Sequence, residues 1–510
     1  MILILRKIIF IFIIYKLKSK KNLLFFDLNF KKIDFTNYHQ IKTFIFKEKF
    51  YSLKNKNIHD FDFLNFSNKL GGKIGISLSK DSIFNWFKIY KNNLNFPWSK
   101  DLTSKRFINL IYNYEYINSS SKKNERKSLD SIIFFHLHRI LFDFNIKKIS
   151  EISSYDIKAY LLSSLITNRL NDKKINYIKY IIENNIDKLG MHKSYNLLEH
   201  SKFINNLNEI KNILLFFKVE KSNIFDEKIL KMTSILNQYF HFDGSLPLFN
   251  GSNNIYTKII YNSLNKDNYL IKREFTNIDN GIAFYEDKNK KIFFDVVQPT
   301  KDKINSNLSA GTLSIELSGY GEKIFTNCGA SESFGKNPEY LRYSAAHSTI
   351  IVQNTNISEI KEGNPHIKFP QSVVFRKEIK DNEEMFEGSH NGYLKKFNKI
   401  IKRKLIIPKN EDKLYGEDTF ISYKDIRKRL IFHIRFHLAE EMTFNFTNSK
   451  KNIILKTKLN NIWLFKSDTE LIVEDSILVD NNLTKPIKQI VVKGIITDNK
   501  TTKKWSLEKI

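Results

Sequence analysis

Cysteine is almost absent from this sequence of 510 residues, since Cys328 is the only one. An intramolecular disulfide is therefore excluded, and cysteine usage points to no particular redox compartment. Proline and glycine are also scarce, at 8 and 17 residues, while lysine, asparagine and isoleucine are abundant, a bias typical of AT-rich genomes. Cys328 stands in an "NCG" turn after a predicted strand, and we interpret it as a small structural residue rather than a nucleophile.

The sequence lacks a clear membrane-spanning segment near its start. The apolar run Ile8–Tyr15 has about half of the length that a membrane span needs, and Arg6 and Lys7 interrupt the stretch. No small-residue cleavage site follows this run. An uncleaved signal-like segment and an interfacial helix both fit the pattern. A peripheral membrane contact through the N-terminus is therefore one expectation, and residues 1–80 are predicted to be a separate N-terminal segment.

Nucleic-acid motifs are missing too, although the chain is strongly basic. Its formal net charge of +29 suits an anionic partner, such as an acidic polysaccharide, a nucleic acid or a membrane surface. The lysines are scattered, however, and form no arginine and aromatic cluster, so codon bias explains much of the charge. Hydrophobic residues make up 42% of the chain and aromatic residues 14%, which is enough for a packed interior. The length predicts two domains.

Two hydrophobic periods divide the rest of the chain. Apolar residues recur at helical spacing from about residue 80 to 270; Phe107, Leu110, Ile111 and Tyr114 are one such stripe. The helices are predicted to form a stacked or closed array, although no repeated consensus marks a solenoid. After about residue 275, short strands alternate with turns at regular intervals, which predicts a β-sandwich. The predicted domains are 81–272 and 273–510.

The stretch Asn307–Gly329 is the most informative of these strands. Leu313, Ile315 and Leu317 alternate with Thr312, Ser314, Glu316 and Ser318, which predicts a strand with one face in water. Small polar residues precede it.

The order of the local motifs resembles the heparinase II/III-like family of polysaccharide lyases. The segments that carry the resemblance are "MHKSYNLLEH", "HFDGSLPLFNGSNN", "NLSAGTLSIELS", "IFTNCG", "YLRYSAAHSTIIVQN", "FEGSHNGY", "KRKLIIP…GEDTF" and "FHIRFHL". The resemblance covers roughly residues 85–510 and implies an α+β multidomain fold. Its N-terminal part would be an α/α toroid, an incomplete helical barrel, and its C-terminal part an antiparallel β-sandwich, with a sugar cleft between them.

The resemblance implies β-elimination on a glycosaminoglycan-like glycan that contains uronic acid. A base removes the proton at C5, an acid protonates the leaving oxygen, and hydrogen-bond donors or positive charge neutralise the carboxylate. On this basis the predicted catalytic residues are His192, His347 and Tyr195. The predicted substrate-binding residues are Asn196, Asp243, Asn250, Asn307 and Arg342. Asn196 would share a helix face with His192 if the helix has started there.

Several members of the family have an H-x-H motif before the strand and an aspartate after it. One of these histidines acts in catalysis, and the other binds a structural metal together with the aspartate and a later histidine. The corresponding residues here are Asn307, Ser309 and Asn327, and only His347 remains of that set. Amide and hydroxyl groups are poor zinc ligands, so we predict no metal and no cofactor. The loop that often carries a catalytic tyrosine shows Phe249, which transfers no proton.

Three functions therefore remain open. The first is a lyase acting on an acidic polysaccharide in the cell envelope or periplasm, with the cytoplasm as the alternative location. The second is a protein of the same fold that binds a glycan without cleaving it. The third, a nucleic-acid or membrane-surface protein, rests on charge alone, and we predict no nucleic-acid partner. The oligomeric state and the identity of the glycan stay open.

Overall fold

The computed structural model describes most of the chain from Lys56 onward. The described residues are 56–93, 96–98, 101–219, 222–254, 281–331, 338–361, 367–425, 429–480 and 483–510. The apolar run Ile8–Tyr15 lies outside them, and so does most of the predicted domain boundary. Among the helices in these ranges, none is long and apolar enough to cross a bilayer.

The first half of the described chain is helical. Its α-helices are α1 (Lys56–His59), α2 (Phe63–Leu70), α3 (Gly72–Tyr90), α4 (Leu102–Tyr112), α5 (Tyr114–Asn118), α6 (Lys123–Ile146), α7 (Ser154–Ile166), α8 (Asp172–Asn185), α9 (Leu197–Phe216) and α10 (Asp226–Asn237). Short 3-10 turns occupy Ile149–Glu151 and Ser222–Phe225. The predicted stripe of α4 and α5 is buried, since Phe107 and Leu110 are 0% exposed.

Local signals explain where these helices start. At the start of α7 the Ser153 hydroxyl accepts from the Asp156 amide at 3.2 Å, and the Asp156 carboxylate accepts from the Ser153 amide at 3.0 Å. This reciprocal capping box satisfies two amide donors that the helix leaves unpaired. Lys147 also pairs with Asp156 at 2.8 Å. Charge and capping together therefore fix this end of α7.

The second half is made of antiparallel strands. They are β1 (Ile282–Glu286), β2 (Lys290–Asp295), β3 (Ile315–Gly319), β4 (Glu322–Thr326), β5 (Ile350–Val352), β6 (Val373–Ile379), β7 (Glu383–His390), β8 (Lys399–Pro408), β9 (Lys413–Ser422), β10 (Leu430–Leu438), β11 (Thr443–Phe446), β12 (Asn452–Lys456), β13 (Ile462–Ser467), β14 (Leu471–Asp480), β15 (Leu483–Ile496) and β16 (Lys500–Lys509). A short helix, α11 (Leu394–Phe397), precedes β8, and 3-10 turns occupy Lys303–Asn305, Glu339–Arg342 and Ser344–Ala346.

The strands form two eight-stranded sheets. The first sheet has the order β1-β2-β3-β4-β10-β15-β14, with β5 also paired to β10. The second has the order β11-β12-β13-β16-β9-β8-β7-β6. Apolar side chains of both sheets share one core, where the rings of Phe436 on β10 and Trp505 on β16 are 4.7 Å apart. The predicted architecture, an incomplete helical barrel followed by an antiparallel β-sandwich, is confirmed.

The chain divides into two compact units. One contains the described residues up to Asn184 together with Lys202–Ile229, and within it α4 packs against α6 and α7. The other contains Asn185–Ser201 and Leu230–Ile510. This second unit therefore combines both sheets with two segments that precede them. The predicted boundaries at 80 and 272 stay a prediction.

One expectation about β3 is wrong. The face that bears Glu316 and Ser318 was predicted to lie in water, but both residues are 0% exposed. The segment 241–248 covers this face, because His241 contacts Ser318 and Glu316 and the amide of Leu248 donates to Glu316 at 2.9 Å. The polar residues of β3 therefore hold a loop, which alternation alone does not reveal.

Candidate functional site

The site begins at the N-terminus of α9. The helix starts at Leu197, and Asn196 caps it by accepting from the amide of Glu199 at 3.0 Å. His192 lies five residues before the helix, in an isolated bridge with Ile186. The expectation that His192 and Asn196 share a helix face is therefore wrong, because the helix starts after both. The two residues belong to one loop instead.

Asn250 joins three loops of the second unit. Its Oδ1 accepts from the amide of Ser309 at 3.2 Å, and its Nδ2 donates to the carbonyl of Tyr195 at 3.5 Å. Its own carbonyl accepts from Nδ2 of Asn196 at 3.0 Å. Asn250 has a φ of 54°, in the left-handed region that asparagine tolerates better than most residues. This residue therefore fixes the geometry of the loop cluster.

Two further contacts close the cluster. Nδ2 of Asn305 donates to the carbonyl of Lys193 at 2.7 Å. At Gly251, whose φ is +84°, an added Cβ would lie 3.2 Å from Nδ2 of Asn196 and 3.6 Å from the carbonyl oxygen of Asn307. A side chain at this glycine would be both strained and crowded. The backbones of residues 193, 251 and 305–307 thus lie close together.

The same loop is tied to the edge of the first sheet. The amide of Asn254 donates to Oδ1 of Asp480 at 2.9 Å, at the end of β14. Leu248 packs against Leu478 and Ile487 of β14 and β15. These contacts join residues far apart in the chain, so the position of the loop depends on late strands.

The accessible groups of the cluster are His192, Tyr195 and Asn307. Asn307 is exposed, whereas His192 and Tyr195 are half-buried. Nδ1 of His192 lies 2.8 Å from the hydroxyl of Ser194. Burial, and then the charge of Lys193, lower the pKa of His192 to about 4. The imidazole is therefore neutral at pH 7, as a general base must be.

Asp295, at the end of β2, was missed by the sequence analysis. Burial raises the pKa of its carboxyl to about 7, although the amide of Val297 and the side chain of Asn250 donate to it and oppose the shift. The Val297 amide is 3.0 Å from Oδ1. The carboxyl therefore changes charge near neutral pH, directly beside the residue that joins the loops. Only the tertiary contact with Asn250 identifies Asp295 as a candidate site residue. In the sequence it is a lone aspartate after a strand, which is a common turn residue.

Arg342 supports a loop. Its Nε and Nη2 donate to the carbonyl of Leu308 at 3.1 and 2.9 Å, and the amide of Ala310 donates to the carbonyl of Arg342 at 2.8 Å. The residue is 3% exposed, and burial lowers the pKa of its guanidinium. The contacts that the structure shows for Arg342 are thus with backbone carbonyls.

His347 lies deep under the same loop. A Cβ added to Gly311 would be 2.8 Å from Cγ of the imidazole, so only glycine fits there. Within the described part of the chain neither ring nitrogen makes a hydrogen bond. Burial lowers the pKa of His347 to about 4. The ring is therefore neutral. Unlike the ring of His192, whose Nδ1 contacts the Ser194 hydroxyl, it has no hydrogen-bond partner among the described residues.

Glu316 and His241 form a second group that the sequence analysis missed. Nε2 of His241 lies 3.0 Å from Oε2 of Glu316, with both side chains fully buried. Burial raises the pKa of Glu316 and lowers the pKa of His241. Nδ2 of Asn327 donates to Glu316 at 2.9 Å, and Oδ1 of Asn327 accepts from the amide of Ser348 at the same distance. This network fixes the backbone at Ser348, directly after His347.

The residues at the family's metal positions do not fit a metal. Both functional atoms of the Asn327 amide are engaged by Glu316 and Ser348, and Ser309 offers only a hydroxyl. No group of three potential ligands occurs among the residues that the structure describes. We therefore derive no step through a metal, and the predicted lack of bound zinc stays a prediction.

The remaining two candidates lie apart from the cluster. Asp243 is exposed, and its Oδ1 accepts from the amide of Ser245 at 2.9 Å in a turn at Gly244. Burial tends to raise the pKa of Asp243, but Lys323, His241 and Ser245 outweigh it and lower the pKa. Cys328 is buried, and burial raises the pKa of its thiol to about 11. Such a thiol is the opposite of an activated nucleophile.

The described residues thus combine a helical array, a two-sheet β domain and a polar loop cluster at the edge of one sheet. Residues 277–506 match the family described as Heparinase II/III-like, C-terminal. The C-terminal β domain of this chain therefore matches the heparinase II/III-like family that its motifs resemble.

Solved structures agree on the fold. A heparan sulfate lyase HepC mutant from Pedobacter heparinus has a TM-score of 0.62 and 12% identity, covering 99% of this chain and 88% of that one. A structure of heparinase III has a TM-score of 0.70 and 12% identity, covering 98% of this chain and 89% of that one. At such identity the likeness shows the fold alone. No curated protein matches this sequence significantly.

Proposed function

We propose that this protein is a polysaccharide lyase that acts on a uronate-containing glycan by β-elimination. The observation that supports this most is the cluster of His192, Tyr195 and Asn307. These accessible groups come from loops that Asn250 and Asn305 hold together. A neutral imidazole, a phenol and an amide are the base, acid and neutral donor that such a reaction requires.

The proposed reaction proceeds as follows. The C5 proton goes to Nδ1 of His192, in place of the contacts with the hydroxyl and the amide of Ser194, which lie 2.8 and 3.3 Å from this atom. The C5–H electrons form a C4–C5 double bond as the C4–O bond breaks, and the Tyr195 hydroxyl protonates the leaving oxygen. Asn307 donates to the carboxylate while charge develops at C5.

The other predicted residues support these loops. Asn250 holds the backbone of residues 195 and 309 in place, Asn196 holds that of residue 250, and Arg342 holds that of residue 308. His347 remains a catalytic candidate as a neutral histidine under Gly311, and Asp243 remains a candidate for substrate binding, apart from the cluster. We propose an acidic polysaccharide as the partner and the cell envelope or periplasm as the location, with the cytoplasm as the alternative.

One observation favours a second function, glycan binding without cleavage. The positions of the family's H-x-H and aspartate hold Asn307, Ser309 and Asn327, and the Asn327 amide is fully engaged within the protein. A site with these residues retains hydrogen bonding but loses imidazole and carboxylate groups. Such a protein would still recognise an acidic glycan.

Elimination creates a double bond conjugated with the carboxylate, which absorbs ultraviolet light, whereas hydrolysis does not. We expect uronate-containing polysaccharides to yield this chromophore with the wild-type chain. His192→Ala should reduce the rate on the order of a hundredfold or more, and Tyr195→Phe should also be impaired. Lys188→Met, at an exposed residue before the loop, is the control. Binding without any chromophore would replace the lyase by the binding protein.

A further inference from the structure

We propose that Glu316 of β3 is a positioning residue that holds two parts of the candidate site in register. These parts are the Asn250 loop, residues 241–254, and the His347 segment, residues 344–349. The inference rests on the proposed function, because it concerns the alignment of the groups that would carry out that reaction. Glu316 is 0% exposed, so it would act through its protein contacts and not by touching the substrate.

Glu316 holds the Asn250 loop at two points. Its Oε1 accepts from the amide of Leu248 at 2.9 Å, and its Oε2 lies 3.0 Å from Nε2 of His241. The amide of His241 donates to the carbonyl of Ser245 at 2.8 Å, which closes the turn between these points. Leu248 stands two residues before Asn250 in the chain. The carboxylate therefore fixes the backbone from which Asn250 reaches the neighbouring loops.

The same carboxylate oxygen also reaches the His347 segment. Oε1 of Glu316 accepts from the amide and from Nδ2 of Asn327 at 3.2 and 2.9 Å. Oδ1 of Asn327 in turn accepts from the amide of Ser348 at 2.9 Å, directly after His347. One oxygen atom thus contacts the Asn250 loop directly and the His347 segment through a single side chain. A displacement of either part would therefore disturb the other.

The surroundings of Glu316 suit a charged carboxylate. Its Oε1 accepts from three N–H groups, and Nζ of Lys323 lies 3.9 Å from Oε2. Lys323 also donates to the carbonyl of Leu246 at 3.3 Å, and Nδ1 of His241 lies 2.9 Å from the Ser318 hydroxyl. Ionised carboxylates accept strong hydrogen bonds, and a buried network whose members all have partners is rigid. Such a network can hold two loops in a fixed relation.

This relation matters because the proposed reaction needs groups from separate loops at one sugar ring. Tyr195 depends on Asn250, which donates to the Tyr195 carbonyl at 3.5 Å, whereas His347 belongs to the other segment. A displacement of about 1 Å can reduce the rate on the order of a hundredfold. Displaced groups would still contact the sugar but would no longer meet the reacting atoms. Loss of Glu316 should therefore lower kcat more than it raises KM.

Substitutions of Glu316 in the full-length chain test this role. Glu316→Leu fills the space without an acceptor and should lower kcat for a uronate-containing polysaccharide about a hundredfold. Glu316→Gln keeps a carbonyl oxygen for Leu248 and Asn327, so it should restore kcat to within about tenfold of the wild type. Glu286→Gln, at an exposed glutamate of β1, is the control and should behave like the wild type.

A double-mutant cycle provides a second test, which decides the matter if Glu316→Leu fails to fold. Asn327→Ala removes the link to Ser348, and Asn250→Ala removes the link to the neighbouring loops. Because the two links meet at Glu316, the loss of kcat in the double variant should be about threefold or more smaller than the product of the single losses. Asn289→Ala, in the hairpin between β1 and β2, is the control, and its effect should simply multiply with that of Asn250→Ala.

The outcomes separate this inference from the proposed reaction. Loss of kcat in Glu316→Leu, rescue in Glu316→Gln and coupling in the cycle support the role of Glu316. An unchanged kcat in Glu316→Leu, equal losses in both Glu316 variants, or losses that simply multiply in the cycle overturn this role and leave the lyase. If the wild type binds a uronate polymer without forming the chromophore, the lyase is overturned and the same comparisons of affinity decide the role of Glu316. If no such polymer is bound or cleaved, both proposals fail.

Discussion

Arg403 and Asp418 form a bidentate ion pair in which both side chains are 0% exposed, with distances of 2.7 and 2.9 Å. They lie on β8 and β9 of the second sheet. Nη1 of Arg403 also donates to the carbonyls of Leu313 and Ser348 at 2.9 and 2.8 Å. The second sheet therefore holds the backbone just after His347, at Ser348, and just after Gly311, at Leu313.

Removing this arginine should be strongly destabilising. Arg403→Met leaves Asp418 as a buried charge without its cation, which typically costs about 3–5 kcal/mol. Denaturant unfolding at pH 7 measures the change. Arg376→Met, at an exposed arginine of β6, is the matched control and should change the free energy of unfolding by less than about 0.5 kcal/mol. A similar loss in both variants would contradict this account.

Gly416 of β9 should tolerate no side chain. A Cβ there would lie 2.0 Å from Cε2 of Trp505, so the indole or the strand must move. Overpacking of a core typically costs about 1–3 kcal/mol, and we expect Gly416→Ala to reach or exceed the upper end. Gly321→Ala is the control, because its φ is +85° but nothing lies within 4 Å. The free energy of unfolding of Gly321→Ala should fall by about 1 kcal/mol, from backbone strain alone. Equal thermal stability of the two variants would refute the steric reason.

Asp295 should make stability fall as pH rises towards neutrality. Between the ordinary carboxyl pKa near 4 and its raised pKa of about 7, the folded chain keeps a proton that the unfolded chain has lost. The cost of the buried charge is absent below this window and complete above it. Asp295→Asn should therefore gain stability relative to the wild type between pH 5 and 8, by roughly 4 kcal/mol at most. A difference that does not change with pH would exclude this titration.

The titration of His390 should have the opposite effect on the pH dependence of stability. Burial lowers its pKa to about 3, so below pH 6.5 only the unfolded chain binds the proton and stability falls as the pH falls. Nδ1 of His390 accepts from the amide of Gly392 at 3.1 Å, and an asparagine can replace this acceptor. The stability advantage of the wild type over His390→Asn should shrink from pH 7 to pH 4.5 in denaturant titrations. A stability advantage that stays constant with pH would show that protonation of His390 in the unfolded chain does not cause the loss of stability at low pH.

The change of hydrophobic period predicted a helical half followed by a β-sandwich, and the family resemblance added the incomplete helical barrel. Alternation found β3 but started it too early, since the strand begins at Ile315 and Leu313 has a φ of 64°. It also gave the wrong surroundings for Glu316, because a polar residue on a strand fits the same pattern whether water or a loop covers it. That loop comes from residues 241–248, about seventy positions earlier. Periodicity describes one element and its faces, so it contains no information about which distant segment lies on them.

The candidate site was predicted unevenly for the same reason. Tyr195, Asn250 and Asn307 were selected by motif, and the structure brings their loops together, while their roles stay a prediction. Asp295 and His241 were missed because their significance depends on burial and on partners, not on spacing. Arg342 resembled a carboxylate ligand in sequence, whereas its contacts with the Leu308 carbonyl exist only in the folded chain.

The bond from Asn254 to Asp480 has a consequence for biosynthesis. The two residues are 226 positions apart. At roughly 5–20 residues per second, a ribosome needs on the order of 10–45 seconds to pass from one to the other. During that interval Leu248 has neither Leu478 nor Ile487 to pack against. The packing around Leu248 can therefore be completed only after β14 and β15 have been translated.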